Sequence, residues 1–296
     1  MNYLFYNPSA RNGKAAEDLQ LIKKTLDGQD VEIYAVTDID DYVSVIDKIQ
    51  PEDIVYIVGG DGTLNRFIND STNFRILGDI FFYSAGTGND FKHDVDPDNS
   101  LYRIRLNDYI RSLPTVTVGG VTYKFVNGIG FGIDGYCCEE GDKKRNLNGK
   151  RINYTPIAIK GLFGGYQPAD ATVTVDGKTT SYKRVWLAPT MNGRFFGGGM
   201  MAAPNQNRLN PLHTVSLMVM HGKSRLHTLR AFPSIFKGEH ITKHKDMVKE
   251  FFGHEITVKF DRPTALQIDG ETISGVTEYS VSACAAQNEN EKHAVL

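Results

Sequence analysis

A run of apolar residues, Asp53-Ile-Val-Tyr-Ile-Val58, empties directly into Gly59-Gly-Asp-Gly-Thr-Leu-Asn65. This junction limits the fold more than anything else in the chain. A buried strand, a glycine turn and then a helix-forming stretch, Leu64 to Ile68, is the opening of a strand–turn–helix unit. Glycines let backbone N–H groups approach an anion closely, and the start of a helix adds partial positive charge, so such a turn is a place for phosphate. Asp61 in its centre is the unusual element. A carboxylate beside phosphates is repelled unless a divalent cation or a transferable proton lies between them, which directs the reading toward phosphoryl-transfer chemistry.

The residues before and after this junction extend the pattern. Asn2 to Tyr6, Val31 to Val36 and Asp79 to Tyr83 read as further short strands, and Lys14 to Leu26 and Asp40 to Ile49 have helical spacing. Strand and helix alternating in this order imply a parallel sheet with helices on its faces, whose ligands bind beyond the carboxyl ends of the strands. The turns at Asn7, Thr37, Gly59 and Ser84 would gather at that edge. After about residue 114 the period changes. Val116–Val118, Tyr123–Val126, Ala171–Val175, Val185–Pro189, Thr214–Val219, Ile256–Phe260 and Tyr279–Ala283 read as strands. Helical stretches are expected near 148–161 and 225–236. The predicted fold class is therefore α/β. A parallel-sheet nucleotide-binding domain spans residues 1–127, and a β-rich, sandwich-like domain spans 128–296.

The 296 residues are comfortable for two domains. A formal net charge of −2 argues against a general nucleic-acid binder. No apolar run approaches the roughly 20 residues that span a bilayer, and the first residues, Met1-Asn-Tyr-Leu-Phe-Tyr, carry neither a basic region nor a cleavage site. A cytoplasmic protein is expected, with peripheral contact at the inner membrane face left open. Cys137, Cys138 and Cys284 form no disulfide framework and no metal-ligand spacing, and read as reduced thiols.

Four segments carry the chemistry. Asn7-Pro-Ser-Ala-Arg-Asn-Gly-Lys14 follows the first strand and offers amide, hydroxyl and cationic groups. Gly59 to Asn65 follows the third strand. Ser84-Ala-Gly-Thr-Gly-Asn-Asp-Phe91 follows the fourth and repeats the glycine–threonine–acid logic with Thr87 and Asp90. Gln267-Ile-Asp-Gly-Glu271 lies late in the chain, where Asp-Gly is also the ordinary hairpin dipeptide.

Together these segments resemble the diacylglycerol kinase-like lipid kinases, a group related to sphingosine kinases and more distantly to NAD kinases. The resemblance also takes in Asn127-Gly-Ile-Gly-Phe-Gly-Ile-Asp134 and Gly197-Gly-Gly-Met-Met-Ala-Ala-Pro204. Gly-Gly-Asp-Gly-Thr is shared with NAD kinases, whereas Gly-Thr-Gly-Asn-Asp, residues 86–90, favours the lipid branch. The resemblance implies ATP held between the two domains by Asn7, Pro8, Ser9, Ala10, Arg11, Thr37, Gly59, Gly60, Asp61, Gly62, Thr63, Leu64, Asn65 and Thr87. It implies that Asp61 and Asp90 organise Mg²⁺, and that Asp269 or Glu271 is the general base. The four acids are the catalytic candidates. Phosphoryl transfer needs in-line positioning, a metal at the phosphate oxygens and an acceptor for the hydroxyl proton. Many bacterial relatives carry acids after the Ala-Pro motif that bind a structural magnesium; here Leu209-Asn-Pro211 and Thr214 stand there instead, so that site is expected to be missing or weak.

The acceptor that the resemblance implies is a lipid hydroxyl, diacylglycerol by default, met at a membrane surface; a homodimer is compatible with the reading. Ile157 to Tyr166 and Phe195-Phe196 are candidate apolar lips, and Lys143, Lys144, Arg145, Lys150 and Arg151 a candidate basic face. A soluble hydroxyl acceptor, as in NAD kinases, and a non-catalytic nucleotide sensor are the competing readings.

Overall fold

A computed structural model of the chain describes residues 1–8, 15–70, 78–85, 89–148 and 154–283. Its first half comprises β1 (Asn2–Tyr6), α1 (Ala15–Thr25), β2 (Val31–Ala35), α2 (Tyr42–Ile46), β3 (Ile54–Gly59), α3 (Asp61–Asp70), β4 (Asp79–Ser84), α4 (Asp90–Val95), β5 (Ile104–Arg105) and α5 (Asn107–Ile110). The strands form one sheet in the order β2-β1-β3-β4-β5. β1 to β4 run parallel and β5 antiparallel to β4. Alternate residues of β1 and β3 serve two separate cores. Tyr3, Phe5, Val55 and Ile57 pack with Val45, Ile46, Leu64 and Phe67 of α2 and α3. Leu4, Tyr56 and Val58 pack with Leu19, Ile22 and Leu26 on the α1 side. Burial on both faces is why β3 reads as an unbroken apolar run.

The strands also end in step. The N–H of Val36 donates to Tyr6 O (2.9 Å), that of Asn7 to Val58 O (3.1 Å) and that of Ala85 to Gly59 O (2.8 Å). The turns after β2, β1, β3 and β4 therefore lie side by side at the carboxyl edge, the position expected for a ligand in an open parallel sheet.

The second half comprises β6 (Thr115–Val118), β7 (Val121–Lys124), β8 (Gly128–Gly132), α6 (Ile133–Asn148), α7 (Tyr154–Lys160) and a π-turn (Gly161–Gly165), then β9 (Ala169–Val175), β10 (Lys178–Val185), β11 (Leu187–Met191), β12 (Val215–Met220), α8 (Arg225–Ala231), a 3-10 helix (Phe232–Lys237), α9 (His240–Lys243), β13 (Val248–Gly253), β14 (Glu255–Ile268) and β15 (Glu271–Ser282). Its strands are antiparallel, in the order β13-β12-β11-β8-β14-β15-β6-β7, with β9 pairing both β14 and β10. The β6–β7 hairpin belongs to this second sheet. One face encloses a core that includes Phe131, Val173, Leu217, Val258 and Leu266. The other packs Trp186, Met218 and Met220 under the helices.

Several elements differ from the sequence reading. α7 lies within the helical stretch expected at 148–161, whereas α6 was not expected, because its sequence is mostly charged or glycine and lacks an apolar period. β8 was not expected as a strand at all: three of its five residues are glycine. At Gly130 a Cβ would sit 2.6 Å from the Cα of Pro189, so only glycine lets β8 lie against β11. The expected strand Val185–Pro189 straddles the break between β10 and β11, where Trp186 turns inward and is fully buried.

Candidate active site

Asp61 is the first residue of α3, yet its carboxylate is buried. It faces the start of α4, accepting hydrogen bonds from the backbone N–H groups of Asp90 (2.7 Å) and Phe91 (3.4 Å). The side chain of Asp90 reaches onward into the second half of the molecule. Its two oxygens accept from Gly198 N–H (2.8 Å) and Gly199 N–H (2.7 Å). Gly197, Gly198 and Gly199 have φ of 62°, 82° and 107°. Three successive left-handed residues are accessible only to glycine, and they turn neighbouring N–H groups toward one carboxylate.

Asp269, at the β14–β15 turn, closes the arrangement from the other side. Its oxygens accept from the backbone N–H groups of Val126, Asn127 (2.8 Å) and Gly128 (3.0 Å), and from the side-chain amide of Asn65 on α3 (2.7 Å). Asn65 thus links the glycine turn of the first domain to the hairpin of the second. At the outer edge, Asn7 Nδ2 donates to Thr63 Oγ1 at 3.1 Å.

The electrostatics follow from this crowding. Burial pushes the Asp61 carboxyl up to about 8; the neighbouring charge of Asp90 adds to the effect and that of Asp269 adds less, while the Asp90 N–H and Arg208 oppose it. Burial also raises Asp90, against the stabilising N–H groups of Gly198 and Gly199. Burial raises Asp269, against the N–H groups of Val126, Gly128 and Asn127 and the amide of Asn65. Carboxylates this close in a dry setting disfavour full ionisation until a cation arrives.

The arginine whose charge reaches these acids serves another purpose. Arg208, buried with Asp94 of α4, donates to the Asp94 carboxylate, to Val126 O and to Asn127 Oδ1. Arg194 Nε holds the other Asp94 oxygen at 2.6 Å, and its Nη2 donates to Asp94 O at 2.7 Å. Two arginines of the second domain therefore clasp one acid of the first.

Asp61, Asp90, Asp269, Asn65, Thr63 and Asn7 are brought together at the seam. Pro8, half-buried, follows β1, and exposed Thr37 lies just beyond β2, where its hydroxyl donates to Asp38 (2.7 Å). Gly59 ends β3, and Gly60 and Gly62 flank Asp61. Leu64 is fully buried in the core beneath the sheet edge, so its side chain serves packing. Ser9, Ala10, Arg11 and Thr87 lie outside the described residues. Glu271 is exposed, and its charge is felt at Cys138 on α6. Phe195 and Phe196 are buried and Ile157, Leu162 and Tyr166 belong to the core, so these candidate lips are interior packing; Phe163 stands out, 70% exposed. Lys143 is paired with Glu139 (3.3 Å) and Glu140 (2.9 Å) on its own helix; the Arg145 side chain, Lys150 and Arg151 lie outside the described residues. Burial pushes the Cys137 thiol up to about 12, which keeps it unreactive.

Among the described residues no group of three or more His, Cys, Asp or Glu side chains forms a complete metal cage. The donor set of Asp61 and Asp90 nonetheless fits a hard divalent cation. It is all oxygen, becomes fully ionised more readily when a cation is present, and would leave further coordination to phosphate and water, as Mg²⁺ prefers. In the 206–214 loop, side-chain amides stand where the resemblance leads one to expect acids. Asn210 Nδ2 donates to Asn207 O (2.8 Å) and Thr214 O (3.0 Å), and Gln206 Nε2 to Thr214 O (2.9 Å).

Three features escaped the sequence reading: the grip of Gly198 and Gly199 on Asp90, the Asp94–Arg194–Arg208 clasp, and the crowding of N–H donors around Asp269. The glycine triplet was visible as a motif, but its partner lies 108 residues away. Asp94 and Arg208 give no local signal whatever.

This is the architecture of a two-domain kinase, with an α/β half and a β-sandwich half meeting over carboxylates. Residues 2–112 match the diacylglycerol kinase catalytic domain. Residues 127–284 match the YegS C-terminal NAD kinase beta sandwich-like domain. The chain belongs to the diacylglycerol kinase-like lipid kinase family. It is 25% identical over 245 residues to the Bacillus subtilis protein named "Putative lipid kinase YtlR", covering 77% of this chain and 76% of that one. It is 26% identical over 197 residues to a Mycobacterium tuberculosis diacylglycerol kinase, covering 64% of this chain and 62% of the relative. A crystal structure of a diacylglycerol kinase from Bacillus anthracis str. Sterne has the same fold, with a TM-score of 0.65, 19% identity and coverage of 95% of this chain and 93% of that one.

Proposed function

We propose that the protein transfers the γ-phosphoryl group of ATP to a lipid hydroxyl, with diacylglycerol as the acceptor and phosphatidic acid as the product. The observation that carries this reading is the buried pair Asp61 and Asp90 meeting Asp269 across the seam. Asn7, Thr63 and the Gly59–Gly62 turn would receive the phosphates at the sheet edge. Asp61 and Asp90 would hold Mg²⁺, which supplies charge neutralisation at the phosphate oxygens. The acceptor oxygen bonds to the γ-phosphorus as the bridging oxygen to the β-phosphorus departs, and the hydroxyl proton passes to a carboxylate.

We assign that last role to Asp269 in preference to Glu271. Burial raises Asp269 toward the pH at which it works, and its charge is felt by Asp61, whereas Glu271 is exposed. A carboxylate offers about four lone-pair sites, and Asp269 already accepts four donors. Three are backbone and fixed. Asn65 is the one side chain among them, so it is the donor that must move aside when the proton arrives.

The test is transfer of labelled phosphate by the purified full chain with ATP and Mg²⁺, offered diacylglycerol in mixed micelles or NAD in solution. Label in organic-extractable phosphatidic acid is expected. Label in NADP would put the protein with kinases of soluble hydroxyls, and ATP binding without transfer would make it a sensor.

A further inference from the structure

Large exposed apolar side chains gather on one region of the second domain. Phe163 projects from the Gly161–Gly165 turn, Leu226 (54% exposed) from α8 and Phe236 (46% exposed) from the adjoining 3-10 helix. These three elements form one platform. Arg225 Nη1 donates to the carbonyls of Leu162 (3.3 Å) and Tyr166 (2.8 Å), tying α8 to the turn. Phe236 meets Phe232 edge-on at 6.3 Å, and Phe232 and Leu229 rest on the core beneath. The tips are therefore exposed while their bases are anchored.

The same region reverses the charge of the molecule. Residues 223–249 carry seven lysines and arginines against two acids, a formal +5 in a chain whose total is −2. Both acids are already matched: Asp246 by Lys223 (2.7 Å) and Glu239 by Lys243 (2.7 Å). Exposed Arg230 and Lys237 stand among the surplus, beside the apolar tips. The platform also adjoins the site. The N–H of Met201 donates to Ile235 O of the 3-10 helix (3.1 Å), and Met201 ends the turn whose Gly198 and Gly199 hold Asp90.

We propose that Phe163, Leu226 and Phe236, flanked by Arg230 and Lys237, form an interfacial docking surface for an anionic lipid bilayer, set to present a membrane-embedded acceptor at the Asp90 side of the site. The delivery step rests on the lipid kinase reading; the binding does not. Apolar tips on a cationic surface suit the boundary between headgroups and acyl chains, where tips enter the interface and cations stay at the surface. A protein partner would have less use for an unmatched positive field of this size.

The test uses the full chain with vesicles of phosphatidylcholine, alone or mixed with phosphatidylglycerol, read by co-sedimentation. The wild type is expected to bind the mixed vesicles and to be released only in part by salt. Neutralising Arg230 and Lys237 (Arg230→Gln with Lys237→Gln) is expected to weaken binding about 30-fold, at about fivefold per cation near an anionic surface. Phe163→Ser with Leu226→Ser and Phe236→Ser is expected to abolish the binding that survives in high salt. Both variants should phosphorylate a monomeric short-chain diacylglycerol at the wild-type rate and lose activity only on vesicles. Vesicle binding equal in variants and wild type, or no wild-type binding to either vesicle, overturns the docking surface, and a protein captured on the platform in place of vesicles would do the same. Binding that follows the substitutions, with no transfer to any acceptor, would leave the docking surface standing and remove the lipid kinase reading.

Discussion

Asp61 sets the pH behaviour of the ligand-free protein. Its native carboxyl is raised to about 8, so between about pH 4 and pH 8 the folded state binds a proton that the unfolded state does not. Stability must then fall as pH rises through that window. Asp61→Asn keeps an acceptor for the Asp90 N–H and cannot ionise. The variant is expected to melt higher than wild type at pH 8 by about 4 °C or more, converging with it near pH 4, in scans without nucleotide. It is also expected to lose phosphoryl transfer by at least about 100-fold. Equal melting at both pH values would mean that Asp61 is ionised without strain. Asn65 gives the second residue-scale prediction. Asn65→Ala removes a donor from Asp269, which raises its pKa further, so the acid limb of the kcat/KM profile should move to higher pH. A fall in rate with no movement of the limb would count against Asp269 as the proton acceptor.

At the scale of elements, the seam depends on backbone conformations that few residues can adopt. Gly199 sits at φ 107° while its N–H holds Asp90. Gly199→Ala should cost about 1–3 kcal/mol by strain, measurable as a lowered urea midpoint with unchanged slope, and should weaken ATP binding by loosening Asp90. The sequence made the first domain legible because β1 to β4 are short, apolar and punctuated by turn residues, and because each helix docks through an apolar stripe. It left α6 and β8 illegible for the opposite reasons. α6 is a polar helix that forms by docking Ile133 and Cys137, and β8 is rich in glycine because β11 presses against it. The acids and glycines of the site were legible by residue type. Which glycine serves which acid was not.

For the whole molecule, the clasp of Arg194 and Arg208 on Asp94 ties the two halves together. Removing one partner of a buried ion pair costs about 3–5 kcal/mol when the other is left uncompensated; without Arg208, Asp94 keeps Arg194, so the loss is expected to be smaller. Trp186 is the single tryptophan of the chain and is buried in the second domain. Its fluorescence reports that half, whereas far-ultraviolet circular dichroism reports both. In the wild type the two melting curves should coincide. In Arg208→Met they should separate by several degrees as the first domain loses its anchor. Coincident curves in the variant would show that the halves are coupled by other contacts.

The sequence alone determined the layered order of strand and helix, the change of period near residue 114 and the presence of phosphate-type turns with acids inside them. Those properties are local: they depend on neighbours within a few residues, on apolar alternation and on the backbone freedom of glycine. Only the tertiary structure decided that Asp90 is held by Gly198 and Gly199, that Asp269 draws four donors from two domains, and that Asp94 belongs to Arg194 and Arg208. Such partners are a hundred residues or more apart, and their pairing is fixed by how two sheets with separate cores come to rest against each other.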